Sequence, residues 1–453
     1  MNLHTFKKGG IHPPEFKITA RREIKEVALP REVVITLAQH IGAPAVCAMA
    51  KGDRVCRGQE VAQAGGFVSA PVHSPITGTI TAIGQSRNAY GQLVATVTIA
   101  ADDADHDADL KAIAGATPVR TPEQAMAMEP KEITYIVAQA GIVGLGGATF
   151  PTKVKLSPPP GSKADIVIIN AVECEPFLTN DHALMLAHPD EILEGVKLLM
   201  HAAGVERAVI GIEANKPDAI ALLGEKAKNF SGIEVMPLKV KYPQGGEKQL
   251  IKAVTGREVP SGALPIATGA IVQNVATAYA VYEAVIWGKP LMERIITVTG
   301  PSLSNPGNYL VPIGYPLAKL VELAGGVPAD TGKILLGGPM MGRAITNIDT
   351  PTIKGISGVL MLPQSMSERA QAEPCIRCAA CVGVCPMGLQ PYLISTHSRL
   401  GNWDDAEKLG VMNCIECGCC SYTCPSSRPI LDYIRLGKMT VGGIIRARQQ
   451  KQS

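Results

Sequence analysis

The chain has 453 residues, 46% of them hydrophobic and 18% charged, and 43 Lys and Arg against 40 Asp and Glu leave a formal charge of +3. This balance excludes a disordered chain and gives no electrostatic footprint for nucleic acid, and aromatic residues at 4% are too sparse for base stacking. At roughly 150 residues per domain the length predicts about three domains, or four if some are small.

The opening MNLHTFKKGGIHPPEF has no apolar core for a signal peptide, so the 12 cysteines are expected to stay reduced and unbridged. The longest uncharged stretch, residues 261–282, is interrupted by Pro265, Gly269, Gln273, Asn274 and Thr277 and does not read as a bilayer span. Any membrane association is therefore expected to be peripheral and through partners.

Residues 29–100 read as short alternating strands, KGDRVCRGQEVAQAGG, PVHSPITGTITAIG and QLVATVTIA, punctuated by Gly and Pro. The GDxVxxGQ and SPxxGxI turns resemble the biotinyl/lipoyl-type hammerhead, a small β-sandwich. Carrier members of that family present a lysine at the hairpin tip; the tip GGFVSAPVHSP has none, which predicts a packing role. The polar stretch that begins at Ala101 reads as a boundary.

From Pro130 helices and strands alternate. EITYIVAQAGIVG reads as a helix, DIVIINAV as a strand, residues 190–201 as a helix closed by Gly204, and RAVIGIEA as a strand. A helix started by Pro217, the strand IEVMPLKV and the helix GGEKQLIKAVTG follow, implying a mostly parallel sheet with both faces covered. From Arg294 the order strand, hairpin, helix ended by Gly325 and Gly326, strand suits a small β-grasp module.

Near the C-terminus the spacing CxxCxxCxxxCP occurs twice, on Cys375, Cys378, Cys381 and Cys385 and again on Cys414, Cys417, Cys420 and Cys424. Three thiolates so spaced wrap one cuboidal 4Fe–4S cluster, and the fourth, before proline, reaches the neighbouring cluster. The predicted sets are therefore crossed: Cys375, Cys378, Cys381 and Cys424 on one, Cys414, Cys417, Cys420 and Cys385 on the other. Zinc takes four ligands from paired CxxC knuckles and leaves each run's third cysteine without a role. Cys419 is a spare thiol, and Cys47 and Cys56 receive no function.

Single electrons need an entry site, and GIVGLGGATFPTKVK at residues 141–155 is the candidate: glycines admit a flat or phosphorylated ligand, and Lys153 and Lys155 suit phosphate. It follows a helix and precedes a strand, the reverse of a Rossmann fingerprint. The next strand ends in AVECEPFLTNDH, with Glu173 and Glu175 on one side by strand periodicity. They read as a solvated rim or as carboxylates for ribose hydroxyls or ring nitrogens, and periodicity alone favours the rim. Cys174 reads as a small buried hydrophobe, and His12, His73 and His182 as ordinary structural or surface residues. The basic tail IIRARQQKQS reads as a solvated end.

GxGGAxFPTxxK, INAxECEP, the Gly-Gly-Glu at 245–247 and QNVAT at 273–277 resemble the flavin site of the NADH-oxidising flavoprotein of respiratory complex I and its relatives. With TFKKGGIHPPEFK, the hammerhead, PIGYPLAKLVELAGG, LGGPMMG and the doubled cysteine motif, essentially the entire chain resembles the RnfC family, the C subunits of Rnf electron-transport complexes. The resemblance implies FMN held by Gly144, Gly146, Gly147, Lys155, Asn170, Glu173, Asn274 and Thr277, with Phe150, Glu175 and Glu247 lining the NADH side. Val172 and Cys174 stand where the complex I flavoprotein has an acid and a glycine, and Gly-Gly-Glu replaces its Gly-Glu-Glu.

The expected fold is multidomain α/β: a hammerhead β-sandwich at 1–104, an α/β flavin and nucleotide domain at 125–290, an SLBB-type β-grasp module at 291–362 and a two-cluster ferredoxin-like helical domain at 363–440. The expected function is electron transfer between NADH, through FMN, and two 4Fe–4S clusters toward a partner iron–sulfur subunit and, indirectly, ferredoxin. That places the chain at the cytoplasmic face of the bacterial inner membrane, coupled to ion translocation elsewhere in the complex. The alternatives are a soluble flavin and iron–sulfur reductase of another acceptor, such as a corrinoid, and a wiring subunit without flavin.

Overall fold

The computed structural model describes residues 3–103, 106–114 and 117–451. Parts of the boundary stretch after Ala101 and the last two residues of the basic tail lie outside them. The four modules follow one another in the expected order.

The first is a sandwich of two antiparallel sheets. Glu32–Thr36, Leu93–Ala101, Gly78–Arg87 and Arg54–Val55 form one, and Val46–Cys47, Glu60–Gln63 and Val72–His73 the other. Alternation sends Val33, Ile35, Val61, Ile80, Val97 and Ile99 inward, where each is fully buried. The boundary stretch carries a helix, His106–Ala114, that the polar composition does not predict.

The second module is a four-stranded parallel sheet in the order Ile233–Leu238, Ala208–Glu213, Ile166–Asn170, Ala270–Asn274. The helix Pro189–Ala203 ends where Gly204 turns left-handed at φ 64°, as its position predicts. A Cβ at Gly195 on that helix would lie 2.0 Å from the carbonyl oxygen of Ala278, so only glycine lets it approach the helix Val275–Trp287 so closely. The last strand and that helix, Ala270–Asn274 and Val275–Trp287, fall largely within residues 261–282, where the sequence pattern assigns no element. The helix is buried nearly all round, with Val275, Ala278, Val281, Ala284 and Val285 inside, and so carries no amphipathic period.

The third module is a six-stranded mixed sheet. Glu293–Thr299 lies antiparallel to Gly307–Pro312 and parallel to Gly358–Pro363, and Leu317–Leu323 supplies the helix. Its edge strand, Ile24–Glu26, comes from the N-terminal arm and pairs in parallel with Gly307–Pro312. The same arm bridges Ile11 to Tyr242 of the second module, so it laces modules far apart in sequence. The fourth module packs Pro391–Arg399 and Trp403–Lys408 against a 21-residue helix, Ile430–Gln450.

Candidate functional site

The strand ends at Asn170 and Asn274 are register partners, which puts the two amides side by side at the carboxyl edge of the parallel sheet. Asn274 caps the helix Val275–Trp287: its Oδ1 accepts the Ala276 N–H at 2.9 Å, while its Nδ2 donates to Asp181 Oδ2 at 2.7 Å. Thr277 Oγ1 accepts the Leu145 N–H at 3.0 Å and so tethers the glycine loop to the same helix. Within the loop Gly144 N–H donates to Phe150 O at 2.8 Å, and Phe150 is half-buried. Gly146 and Gly147 are exposed, and a Cβ on Gly146 would sit 2.5 Å from Asn274 Nδ2.

The loop runs into a short helix, Thr152–Lys155, rather than directly into a strand. That helix turns Lys155 back over the sheet edge, where Nζ donates to Glu247 Oε1 at 2.8 Å and to Val272 O at 2.9 Å. Lys153 instead stands 6.0 Å from the Phe67 ring of the first module. Asn170 Nδ2 donates to Gly245 O at 2.8 Å and holds the Gly-Gly-Glu turn against the loop. Exposed glycine backbone, a lysine, two amides and a capped helix N-terminus form the donor set that a phosphorylated planar group such as FMN takes, so these residues fit it.

The expectation that Glu173 and Glu175 share a side is corrected. The strand stops at Asn170, and Glu173 turns left-handed at φ 48°, so strand periodicity no longer applies. Glu173 accepts the N–H groups of Asp181 at 2.7 Å and His182 at 3.4 Å at the start of the helix Asn180–Ala187. Glu175 points elsewhere, accepting from Met340 N at 3.1 Å, Met341 N at 2.8 Å and Tyr242 Oη at 3.4 Å. Burial pushes its carboxyl up to about 7, against the downward pull of those bonds, so Glu175 is no solvated rim.

Three groups here had no local sequence signal. Lys17, from the N-terminal arm, donates to the carbonyls of Glu173, Glu175 and Leu178 at 2.8, 2.9 and 2.7 Å. The fully buried Lys354 donates to Pro71 O and Gly141 O at 2.8 and 2.7 Å, joining the hammerhead to the start of the glycine loop. Asp181 is buried against Asn274, its carboxyl pushed up by burial and then by the charge of Glu173. Cys174 accepts the Gly245 N–H at 3.4 Å, and burial raises its thiol far above the usual range. His182 Nε2 lies 2.8 Å from Asp218 Oδ1, a bond within the fold.

In the fourth module Cys375, Cys378, Cys381 and Cys424 line one cavity of about 310 Å³. The other four also lie together: the thiol of Cys420 is pushed up to about 12 by burial and then by the charges of Cys414, Cys417 and Cys385. Among the described residues no three His, Cys, Asp or Glu side chains converge on a single-ion position. Four thiolates around such a cavity suit a cuboidal iron–sulfur cluster. Cys375 and Cys378 are exposed, whereas Cys417 and Cys385 are buried. Cys419 is fully buried, its Sγ 4.0 Å from Tyr242 O. Cys417, Cys419, Tyr242 and Ile11 form one packed cluster, with Cys174 and Met340 against it, and this cluster joins the glutamate loop to the second cysteine run.

The family described as "RnfC Barrel sandwich hybrid domain" matches residues 4–104, "Nuo51 FMN-binding domain" residues 137–283, "SLBB domain" residues 295–344 and "4Fe-4S dicluster domain" residues 367–425. The chain is 44% identical over 444 residues to the C subunit of the Na(+)-translocating ferredoxin:NAD(+) oxidoreductase complex of Acetobacterium woodii, covering 97% of this chain and 98% of that one. It is 41% identical to the proton-translocating counterpart of Clostridium ljungdahlii, covering 94% of this chain and 92% of that one. Among solved structures, an NAD+-reducing NiFe hydrogenase in the H2-reduced state aligns with a TM-score of 0.51 at 19% identity, over 73% of this chain and 66% of that chain, a likeness of fold.

Proposed function

Because the chain belongs to the family of C subunits of the ion-translocating ferredoxin:NAD(+) oxidoreductase complexes, we propose that it is the subunit in which NADH exchanges electrons with iron–sulfur clusters. The observation that carries this reading is the continuity of the packed cluster around Tyr242, which touches the glutamate loop on one side and Cys417 on the other.

Bound FMN supplies the conversion of a hydride, two electrons at once, into single electrons. The chain's own residues bind and orient. The exposed backbone of Gly146 and Gly147, with Gly144 closing the loop, would admit the group, and Lys155 and the Asn274-capped helix end would bind its phosphate. Asn170, Glu173 and Thr277 would hold the strand edge and loop around it, and Phe150 and Glu247 would line the side open to NADH, whereas Glu175, turned to Met340 and Met341, supports the loop from behind. Cys414, Cys417, Cys420 and Cys385 hold the inner 4Fe–4S cluster, and Cys375, Cys378, Cys381 and Cys424 the outer one. With those groups in place, the glycine loop would be the entry side and the exposed Cys375 and Cys378 the exit side, toward a partner iron–sulfur subunit and, through it, ferredoxin.

No helix among the described residues is long and apolar enough to cross a membrane. In this reading the chain is held at the cytoplasmic membrane face by partner subunits, and ion movement belongs to those partners.

An anaerobic NADH titration of the flavin- and iron-reconstituted chain tests the proposal, following flavin and cluster absorbance together. Both chromophores should bleach. Clusters that assemble while no flavin binds and NADH changes nothing would overturn it in favour of a wiring subunit.

A further inference from the structure

The two cysteine runs are offset by 39 residues, which pairs Ile376 with Ile415, Arg377 with Glu416 and Ala379 with Gly418. The backbones agree: Arg377 and Glu416 are left-handed at φ 56° and 59°, and Ala379 and Gly418 at 59° and 78°. Each run then enters a one-turn helix, Ala380–Gly383 or Cys419–Tyr422.

Their surroundings do not agree. Glu416 is clamped by Arg435 at 3.1 Å and Lys438 at 3.0 Å from the C-terminal helix. Ile415 packs beside Tyr242 and Cys417, and a Cβ on Gly418 would meet Met340 O at 3.2 Å. In the first run Ile376 is 68% exposed, and Cys375, Arg377 and Cys378 are exposed around it. Neither Arg377 nor Arg428, which lines the same cavity, forms an ion pair among the described residues, and no carboxylate lines that cavity. The chain covers its inner run with an apolar contact and two opposite charges. The outer run presents the equivalent isoleucine and an unmatched charge to solvent.

We infer that the face formed by Cys375, Ile376, Arg377, Cys378 and Arg428 is the docking surface for an acidic iron–sulfur protein. That partner sets an apolar contact on Ile376 and carboxylates against Arg377 and Arg428, reproducing in trans the cover that the inner run receives in cis. The chemistry fixes the class of partner. Single electrons leaving through exposed ligand thiols need a one-electron acceptor close by, and two unpaired guanidinium groups select an acidic rim. The inference rests on the proposed outer position of the Cys375 set in the electron path.

The test uses the full chain with iron and flavin loaded and, as probe, a purified acidic two-cluster 4Fe–4S ferredoxin. Its binding is measured by titration calorimetry over a range of salt, and its reduction by the NADH-reduced chain by stopped flow. Wild-type affinity should fall steeply as salt rises. Arg377→Glu and Arg428→Glu should each weaken binding at low salt by at least about tenfold and lose most of that salt dependence, while NADH still bleaches the flavin. Arg207→Glu, the same charge change at an exposed residue just before the strand Ala208–Glu213, where it pairs with the exposed Glu234, should behave as wild type. Iron content is measured first, and a variant short of iron is replaced by the other. Wild-type binding that ignores salt, or Arg377→Glu and Arg428→Glu chains that bind as Arg207→Glu does, would overturn the docking face. Clusters that NADH fails to reduce would instead overturn the electron-input reading, which the binding isotherms do not depend on.

Discussion

Lys155 Nζ stands 2.8 Å from Glu247 Oε1, a pair that joins the short helix behind the glycine loop to the first turn of a helix 92 residues further on. With a second bond to Val272 O at 2.9 Å, the ammonium is held at the sheet edge before any phosphate reaches it. Lys155→Met should weaken FMN binding by about ten- to a hundredfold, the worth of a charge-assisted hydrogen bond of roughly 1.5–3 kcal/mol. Quenching of flavin fluorescence on titration reads this directly, and an unchanged affinity would remove Lys155 from the phosphate site.

Gly146→Ala tests the close approach of the loop. The added Cβ would lie 2.5 Å from Asn274 Nδ2, whose bond to Asp181 and capping role leave it little freedom to move. FMN affinity should drop at least about tenfold with only a modest loss of stability, about 1 kcal/mol or less, since the loop is exposed. Full flavin retention would mean that the loop yields without cost.

Lys17→Met removes one ammonium from three carbonyl acceptors at once. Hydrogen bonds to a charged group are worth about 1.5–3 kcal/mol each and are not additive, so a loss of roughly 3 kcal/mol is expected. Flavin affinity should fall with it, because Glu173 and Glu175 lose the support of their backbone. A stable variant with normal flavin content would show that the arm is dispensable to the site.

Glu175 predicts a pH dependence with a definite sign. Its carboxyl is raised from 4.5 to about 7 by burial, so the folded chain binds that proton more tightly than the unfolded chain does. The contribution to stability is therefore fully present below about 4.5 and is lost as pH rises through about 7. Glu175→Gln cannot titrate, and its melting temperature should fall less than that of the wild type across this window. Parallel curves would refute the raised value.

Cys424→Ser separates crossed from uncrossed ligand sets. Cys424 lines the cavity of Cys375, Cys378 and Cys381, so the variant should lose or convert the outer cluster while the inner one still accepts electrons from NADH. Iron content and low-temperature electron paramagnetic resonance distinguish the two. Loss of the inner cluster with the outer one intact would mean that each run serves itself.

Much of the α/β module is readable locally. Pro217 opens a helix, Gly204 and Gly256 close two others, and the apolar runs at 166–170 and 208–213 are strands buried along their length. Elements without local contrast give no such signal. The helix Val275–Trp287 is apolar on every side, and the three-residue strand Ile24–Glu26 is too short to show a period. The alternation that put Glu173 and Glu175 together failed because the strand already ends at Asn170 and Glu173 then turns left-handed.

The sequence by itself determined the chemistry available to this protein: eight thiols at cluster spacing, a glycine loop and the caps that start and stop its helices, because each is decided within a turn or two of chain. Only the tertiary structure decided how those parts are joined. Lys17 reaches carbonyls about 160 residues away, Asn274 finds Asp181 across 93 residues, and Tyr242 comes to lie between Cys174 and Cys417. A buried charge or polar group must be satisfied by whatever the fold brings to it. That partner is fixed by the packing of whole modules, and no window of neighbouring residues contains it.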